Sequence, residues 1–269
     1  MERPAQWVLA WKPDVPGIHE VFHARFVDHA YPAHTHDAWT VFTVDEGSIA
    51  YDLERRHRGV AGSKVTLLPP HVMHDGRPAA SAGYRKRVLY VGTEVLGEDL
   101  IGPAVDSPDV LDHSIVRGFR SLHRALGDPG DTFEAESRFA LVAAQLVHRF
   151  GGHPADEDPH NDSVAEDLRD LLDARLFLGI TLAEAGRLLD VSPAHLVRSF
   201  TNRFGISPHR YLVGRRIDAA RARLLEGQPL ARVATDIGFH DQAHFTKHFK
   251  RHVGTTPARF RGDSSWRRR

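Results

Sequence analysis

Residues 238–261, GFHDQAHFTKHFKRHVGTTPARFR, decide the fold of the C-terminal part of the chain, because they repeat the pattern of residues 192–211, SPAHLVRSFTNRFGISPHRY. Each stretch has two apolar residues four positions apart, then a glycine, then Ser-Pro or Thr-Pro. A Leu-Ala pair precedes each copy, at residues 182–183 and 230–231. Apolar residues four apart form one face of a helix. The repeat therefore predicts two helix–turn–helix units.

Small polar residues mark the starts of the predicted helices. Thr181, Ser192, Ser207 and Asp241 each stand where a side-chain oxygen can accept a hydrogen bond from the first helical turn. Between the units, a helix that begins at Pro208 and ends near Gly227 has about 18 residues and is about 27 Å long. Successive major-groove faces of B-DNA lie roughly 34 Å apart. A connector of this length can place two reading helices on one face of a duplex that is slightly bent.

The charge distribution agrees with this interpretation. The formal net charge of the 269 residues is zero, but residues 1–160 carry 16 Lys and Arg against 23 Asp and Glu. Residues 161–269 carry 19 Lys and Arg against 12 Asp and Glu. The basic part coincides with the repeat, which favours contact with a phosphate backbone.

The repeat resembles the C-terminal signature of the AraC family of transcription regulators over about residues 164–262. The resemblance rests on the spacing from Gly238-Phe239 to Phe260-Arg261 and on Ser192-Pro193 through Ser207-Pro208. In that family, the outward residues of each second helix enter the major groove. The resemblance implies these base-contacting residues: Ala194, Val197, Arg198, Gln242, Ala243, Thr246 and Lys247. Those expected at phosphates are Thr201, Asn202, Lys250 and Arg251.

The two reading helices are expected to differ in what they recognise. Arg198 can bind guanine and Gln242 can bind adenine, whereas Ala194 and Val197 offer little beyond contact with a thymine methyl group. An isolated Lys or Arg is ordinarily a solvated surface charge. The position of Arg198 and Lys247 on the outward face of a repeated unit favours DNA contact instead.

The first part of the chain has the pattern of short strands. Runs such as Ala38–Val44 and Ser48–Leu53 are separated by turn residues, which indicates a sandwich or barrel over residues 18–92. Asp45-Glu46-Gly47 between these two runs predicts a hairpin turn. The overall prediction is an α+β multidomain protein: a β-barrel with amphipathic helices, followed by an all-α domain.

Two helices are expected after the strands. One apolar stripe comprises Leu111, Ile115, Phe119, Leu122 and Leu126, and a second comprises Phe139, Ala143, Leu146 and Phe150. Such stripes can pack on their own barrel or form a dimer interface, and the sequence leaves both open. The predicted domains are residues 1–106 (sensor), 107–150 (helical packing or dimerisation), 151–163 (acidic Pro/Gly-rich linker) and 164–262 (DNA binding).

Histidines in the strand region resemble the small cupin barrel with which AraC-family regulators bind effectors. His34 and His36 are two apart, so they share a face of a strand, and His74 follows on a later strand. The residues expected to line an effector pocket are His34, His36, Trp39, His74 and Tyr90. Enzymatic cupins add a carboxylate four or five residues after the second histidine, where Thr40 and Val41 stand here. We therefore predict no metal, although three imidazoles would suffice for zinc.

These observations predict a sequence-specific transcription regulator whose barrel senses a small molecule. The alternative is a metal-dependent cupin enzyme with an accessory DNA-binding domain, and an adaptor role for the apolar helices stays open. The expected partners are promoter DNA, an effector, a second copy of the chain and, for an activator, RNA polymerase. The absence of cysteine, of a secretion signal and of a long apolar run predicts a cytoplasmic protein.

Overall fold

The computed structural model describes residues 6–54, 56–62, 64–128, 130–151 and 161–262. The chain divides into two units. The N-terminal unit comprises Met1–Gly127 and Arg138–Asp156, and the C-terminal unit comprises Asp128–Ser137 and Glu157–Arg269. Most of the predicted linker, residues 152–160, and the basic end of the chain, residues 263–269, lie outside the described residues.

The N-terminal unit contains nine strands and four helices in its described part. The strands are β1 (Trp7–Trp11), β2 (Ile18–Phe26), β3 (Tyr31–His34), β4 (Trp39–Leu53), β5 (Arg56–Ala61), β6 (Val65–Leu68), β7 (His74–Pro78), β8 (Tyr84–Val91) and β9 (Asp109–Val110). The helices are α1 (Thr93–Leu96), α2 (Ile101–Asp106), α3 (His113–Leu126) and α4 (Thr132–Gly151). The first six residues of α4 group with the C-terminal unit.

Strand β4 joins the two layers of the barrel. Its first part pairs antiparallel with β8 and β6, in the layer that runs β1-β2-β8-β4-β6-β9. Its second part, from Ser48 onward, pairs with β5 and β7, and β7 also pairs with β3. Apolar side chains of both parts, including Phe42 and Tyr51, share one buried core.

The hairpin predicted at Asp45-Glu46-Gly47 is wrong, because these residues lie inside the continuous strand β4. The register against β8 shifts between Val44 and Glu46, which is a β-bulge. Gly47 has a φ of 72°, a conformation that is readily available only to glycine. A bulge and a glycine bend and twist a strand without ending it, and here they carry β4 from one layer to the other.

Helices α3 and α4 cover the outer face of the sheet. Phe119 from α3 and Phe139 and Leu146 from α4 line one small apolar pocket with Val41 of β4. Of the two roles left open for the apolar stripes, packing on their own barrel therefore accounts for these side chains. Leu111, which was expected to begin the first stripe, is 70% exposed, because the helix starts two residues later behind the N-cap Asp112.

The described part of the C-terminal unit is entirely helical. After the start of α4, its helices are α5 (Asn161–Ala174), α6 (Leu182–Leu189), α7 (Pro193–Phe204), α8 (Pro208–Leu225), α9 (Leu230–Asp236), α10 (Gln242–Val253) and α11 (Pro257–Gly262). The pairs α6–α7 and α9–α10 are the two helix–turn–helix units, and α8 is the 18-residue connector between them. None of the described helices is long and apolar enough to cross a membrane.

The predicted caps begin the predicted helices. Thr181 accepts a hydrogen bond from Glu184 N at 3.0 Å, and Asp241 accepts one from His244 N at 2.7 Å. Ser192 and Ser207 cap α7 and α8 in the same way. The helix boundaries in this unit follow from these local interactions, each of which typically contributes about 1 kcal/mol.

We expect Gly47→Ala to destabilise the N-terminal unit by about 2–4 kcal/mol in denaturant unfolding. An added Cβ would lie 2.0 Å from the backbone oxygen of Gly83, at a φ that side-chain-bearing residues rarely adopt. The matched control is Gly102→Ala in α2, where a Cβ meets no atom within 4 Å. The control should change stability by no more than about 1 kcal/mol, and equal effects of the two substitutions would contradict the role assigned to the bend.

Candidate functional site

The second reading helix, α10, presents polar residues to solvent. Of the residues expected to contact bases, Gln242, Ala243 and Lys247 are exposed, and Thr246 is half-buried. The cap Asp241 fixes the first turn of this helix, and Phe245 and Phe249 bury its other face. Rigid support of this kind is what a side chain needs in order to read a base edge reproducibly.

The first reading helix, α7, exposes fewer of the residues that were expected to contact bases. Arg198 is half-buried, but Ala194 and Val197 are 9% and 2% exposed. The outward orientation expected for Ala194 and Val197 is therefore wrong. Helix α7 packs against α5 as well as α6, so it has a wider buried face than a single apolar stripe predicts.

The four residues expected at phosphates, Thr201, Asn202, Lys250 and Arg251, are all exposed near the C-terminal ends of α7 and α10. Thr201 also donates its hydroxyl to the carbonyl of Val197 at 2.6 Å. Arg216 of α8, which the sequence did not single out, donates to the carbonyls of Leu176 and Gly238 at 2.8 and 2.7 Å. Arg216 thus holds the turn of the second unit against the connecting helix.

An acidic segment, Asp128–Ser137, belongs to the same unit and was not anticipated. Its first residue, Asp128, forms an ion pair with Lys247 of α10. Glu136 accepts a hydrogen bond from the backbone N–H of Leu182, the first residue of α6. The segment therefore contacts a helix from each helix–turn–helix unit. The two residues that form each contact are more than forty positions apart in sequence.

Asp131 is the centre of a histidine cluster on this segment. Its Oδ1 lies 3.2 Å from His244 Nε2, 3.3 Å from His248 Nε2 and 3.4 Å from His209 Nε2. Burial raises the pKa of Asp131, but its contacts with the three imidazoles outweigh that effect and hold the pKa well below the usual range. Burial lowers the pKa of His209, and its bonds to Asp131 and Glu134 more than offset that effect, so its pKa is raised.

The N-terminal unit contains a cavity of about 80 Å³ between the layers of the barrel. His34, His36 and His74 meet there, with ring centroids 4.6–5.2 Å apart. The Nε2 atoms of His34 and His36 are 3.2 Å apart. Burial lowers the pKa of His74 to about 4. Tyr90 stacks edge-on against His36 at 5.0 Å and lines the same cavity.

Trp39 does not line this cavity, so its expected role there is wrong. Its side chain is fully buried. Alternate residues of a strand face opposite sides of the sheet, and it is Thr40 and Phe42 that face the cavity. Trp39 and Val41 therefore belong to the opposite face.

Lys86 of β8 also lines the cavity. Its Nζ lies 4.4 Å from the ring centroid of Tyr31 and 5.6 Å from that of Phe22. Burial lowers the pKa of Lys86 to about 8. The alternation of side chains along β8 could have predicted the position of Lys86, because Tyr84, Lys86 and Tyr90 fall on one face of this strand.

Three hydroxyl groups in the same cavity have no hydrogen-bond partner among the described residues. They belong to Thr40, Tyr51 and Tyr84. Burial raises the pKa of the Tyr84 phenol to about 12, so this group keeps its proton and can donate it. Buried polar atoms of this kind are normally satisfied by water or by a ligand.

The sequence matches two protein families. Residues 16–143 match the AraC-like ligand binding domain, and residues 186–263 match a helix-turn-helix domain. The arabinose operon regulatory protein of Salmonella typhimurium is 32% identical over 210 residues, which cover 73% of this chain and 74% of that protein. The chain belongs to the AraC family. It is a transcription regulator with an N-terminal ligand-binding domain and a C-terminal DNA-binding domain, and the predicted fold class is confirmed.

Other AraC-family proteins match along most of their length. The transcriptional activator RhaS of Klebsiella pneumoniae is 24% identical, with coverage of 87% of this chain and 88% of that protein. An HTH-type regulator of Bacillus subtilis, YbfI, is 22% identical, with coverage of 85% and 86%. The solved structure of the AraC-like activator CuxR has a TM-score of 0.41 at 16% identity, over 79% of this chain and 86% of that chain.

The histidines of the barrel lack the carboxylate that completes the ligand set of metal-binding cupins. His34, His36 and His74 are close enough to share an ion. However, the carboxylate of metal-binding cupins is replaced by Thr40 and Val41, and Val41 faces away from the cavity. Burial is the main cause that lowers the pKa of both His36 and His74, and the ammonium group of Lys86, a positive charge beside the imidazoles, lowers it further. A cation would be repelled by that charge and an anion attracted.

We expect His123→Phe to flatten the pH dependence of stability of the N-terminal unit. His123 is 1% exposed, lies 3.0 Å from His23 and has a pKa well below 6.5 because of burial. The unfolded chain binds a proton near pH 6.5 and the folded chain does not, so stability is lost as the pH falls. At pH 5 this histidine should account for about 2 kcal/mol of the loss relative to pH 7.5.

The measurement is denaturant unfolding at pH 7.5 and pH 5.0, followed by tryptophan fluorescence. The described tryptophans, Trp7, Trp11 and Trp39, all report on the N-terminal unit. His19→Gln is the control, because the His19 side chain is 57% exposed. An unchanged difference between the two pH values in His123→Phe would show that this buried imidazole is not the source of the acid sensitivity.

Proposed function

We propose that the barrel of this regulator binds a small anionic molecule and that binding alters promoter occupancy. The observation that carries the proposal is the Lys86 ammonium group inside the cavity, which has no ion-pair partner among the residues that the structure describes. A buried charge without a partner is costly, and a bound carboxylate or similar anion would supply the missing counter-charge.

The groups around Lys86 support a polar ligand. The hydroxyls of Tyr51, Tyr84 and Thr40 can each donate one hydrogen bond to an anion or hydroxyl group. The imidazoles of His34, His36 and His74 can either donate or accept hydrogen bonds, according to their tautomers. Apolar contact comes from Phe42, Ile49 and Leu68 at the base of the cavity. A small number of polar groups in an otherwise apolar cavity is typical of small-molecule sites.

The regulatory step requires that the anion bind one arrangement of the protein more tightly than another. The equilibrium then shifts by the ratio of the two affinities, and DNA binding must affect the affinity for the anion by the same factor. A coupling of 1–3 kcal/mol, about 5- to 150-fold in affinity, is typical.

For DNA we propose that α7 and α10 lie in successive major grooves, with α8 between them. Gln242 and Arg198 are the candidates for hydrogen bonds to adenine and guanine, and Ala243, Thr246 and Lys247 for neighbouring base edges. Thr201, Asn202, Lys250 and Arg251 are proposed to bind phosphates. Because Ala194 and Val197 are buried, α7 is proposed to contribute mainly Arg198 and phosphate contacts.

Further partners follow from this role. If it activates transcription, the regulator is proposed to contact RNA polymerase, and it is proposed to act in the cytoplasm without enzymatic activity. We retain a homodimer as a proposal, although Phe119, Phe139 and Leu146 of α3 and α4 are packed on the sheet. Its support is the edge strand β1, on which Trp7, Val8 and Leu9 are 41–55% exposed. Sedimentation at several protein concentrations measures this association.

We expect Arg198→Ala and Gln242→Ala each to weaken binding to a selected operator by about 1–3 kcal/mol and to relax base preference at one position. A charge or amide that reads a base edge loses both affinity and discrimination on truncation. Selection of bound duplexes from a random library, followed by a binding titration, measures both quantities. Val197→Ala is the matched control on α7, and it should leave the base preference unchanged. A shifted preference in the control, or an unchanged one in both test variants, would contradict the assignment.

We expect Lys86→Met to weaken anion binding in the barrel. A panel of small carboxylic acids, each paired with its neutral amide, is screened by thermal shift and then by calorimetry. Acids should bind and amides should not, and Lys86→Met should weaken the acids about 10- to 100-fold, as for a hydrogen bond to a charged group. Arg85→Met is the control, because Arg85 is the next residue on β8 and pairs with Glu46 instead. Equal binding of acids and amides, or intact binding in Lys86→Met, would overturn the proposal.

A further inference from the structure

The histidine cluster on the acidic segment has the composition of a metal site. One oxygen and two nitrogens, from Asp131, His244 and His248, lie within 4.8 Å of one another. His244 and His248 are four residues apart on α10, so both imidazoles project from the same face of the helix. Two histidines at this spacing on a helix are a common way to hold zinc in proteins.

The distances fit a tetrahedral ion. Zinc binds imidazole nitrogen and carboxylate oxygen at about 2.0–2.1 Å, which places neighbouring ligand atoms of a tetrahedron about 3.3 Å apart. The carboxylate oxygen lies 3.2 Å from His244 Nε2 and 3.3 Å from His248 Nε2. Two of the three ligand–ligand distances thus already match a tetrahedral ion, and the third, between the two imidazole nitrogens, is within 4.8 Å.

The burial of His248 is a second observation in favour of a metal site, independent of the distances. Its side chain is 6% exposed, and its Nε2 is buried without a hydrogen-bond partner in the described part of the chain. This atom is aimed at Asp131, although the geometry there does not form a hydrogen bond. A buried imidazole nitrogen that lies 3.3 Å from a carboxylate oxygen and has no hydrogen-bond partner can serve as a ligand of a cation that both groups share.

Neighbouring residues hold the cluster in place, and a cavity connects it with solvent. His209 contacts the same Asp131 oxygen through Nε2, and its Nδ1 lies 3.2 Å from the carboxylate of Glu134. A carboxylate–histidine pair of this kind fixes the orientation of groups at a metal centre. A cavity of about 270 Å³, lined by Asp128, His244 and Lys247 among others, opens beside the cluster and offers an ion a route from solvent.

We propose that Asp131, His244 and His248 form a binding site for a divalent transition-metal ion of the zinc class, with water in the fourth position. Imidazole nitrogen together with carboxylate oxygen suits zinc, cobalt, nickel or copper better than magnesium or calcium. The ion joins the acidic segment to α10, the helix on which Gln242 and Lys247 also lie. This site is separate from the three histidines of the barrel.

The test measures metal binding directly and needs neither DNA nor an effector. Untagged full-length protein is stripped with a chelator and titrated with Co²⁺, whose absorption bands reveal tetrahedral coordination. Zinc stoichiometry is then measured by equilibrium dialysis. The test variants are His244→Ala with His248→Ala, and the milder Asp131→Asn, which keeps the side-chain shape. The control is His34→Ala with His36→Ala, which removes two imidazoles from the barrel cluster.

The wild type and the barrel variant should each bind one equivalent and show the tetrahedral Co²⁺ spectrum. The α10 double variant should lose the spectrum, and Asp131→Asn should bind zinc at least about tenfold more weakly. Circular dichroism identifies a variant that fails to fold, in which case Asp131→Asn decides the matter. Absence of bound metal in the wild type, loss of metal in the barrel variant alone, or wild-type affinity in Asp131→Asn would each overturn the proposal.

Discussion

The unbroken course of β4 through Gly47 is the constraint on which the N-terminal unit depends. Thr40 and Phe42 face the cavity from one layer, and Ile49 and Tyr51 face it from the other. Because a single strand supplies both pairs, the two walls of the cavity are fixed relative to each other by backbone geometry. The intervening residue Val41 faces the opposite way, against Phe139 and Leu146. One strand thus shapes the polar cavity and anchors the helices that cover the sheet.

Local signals predicted the C-terminal helices well. Helix α6 begins at Leu182, directly after the predicted cap Thr181, because its start depends on a cap three residues from its hydrogen-bond partner. Prediction failed where distant parts of the chain decide the outcome. Val197 is buried on a helix packed against α5 as well as α6, and Lys86 is inside the barrel because Tyr31 and Phe22 come to it from other strands. The three barrel histidines lie together as expected, although β3 ends at His34 and His36 follows the strand instead of belonging to it.

The acidic segment changes the meaning of the charge asymmetry. From the sequence, the acidic half of the chain is only a part that DNA would repel. In the structure, Asp128 pairs with Lys247, and Glu136 binds the first N–H of α6. Lys247 is also a proposed base contact, so Asp128 and DNA would compete for its ammonium group. An exposed ion pair of this kind contributes only about 0–1 kcal/mol, so DNA can displace it at small cost.

The C-terminal unit is discontinuous in sequence, since Asp128–Ser137 reaches it from between two stretches of the N-terminal unit. A fragment that starts at α5 would therefore lack four carboxylates that the complete unit possesses. In such a fragment Lys247 would be free of Asp128, His244 and His248 would lose Asp131, and α6 would begin without Glu136. Excised in this way, the repeat would be more basic than it is in the whole protein. Its affinity for DNA would then overstate that of the intact regulator, and grafting it onto another sensor would require two segments to be moved together.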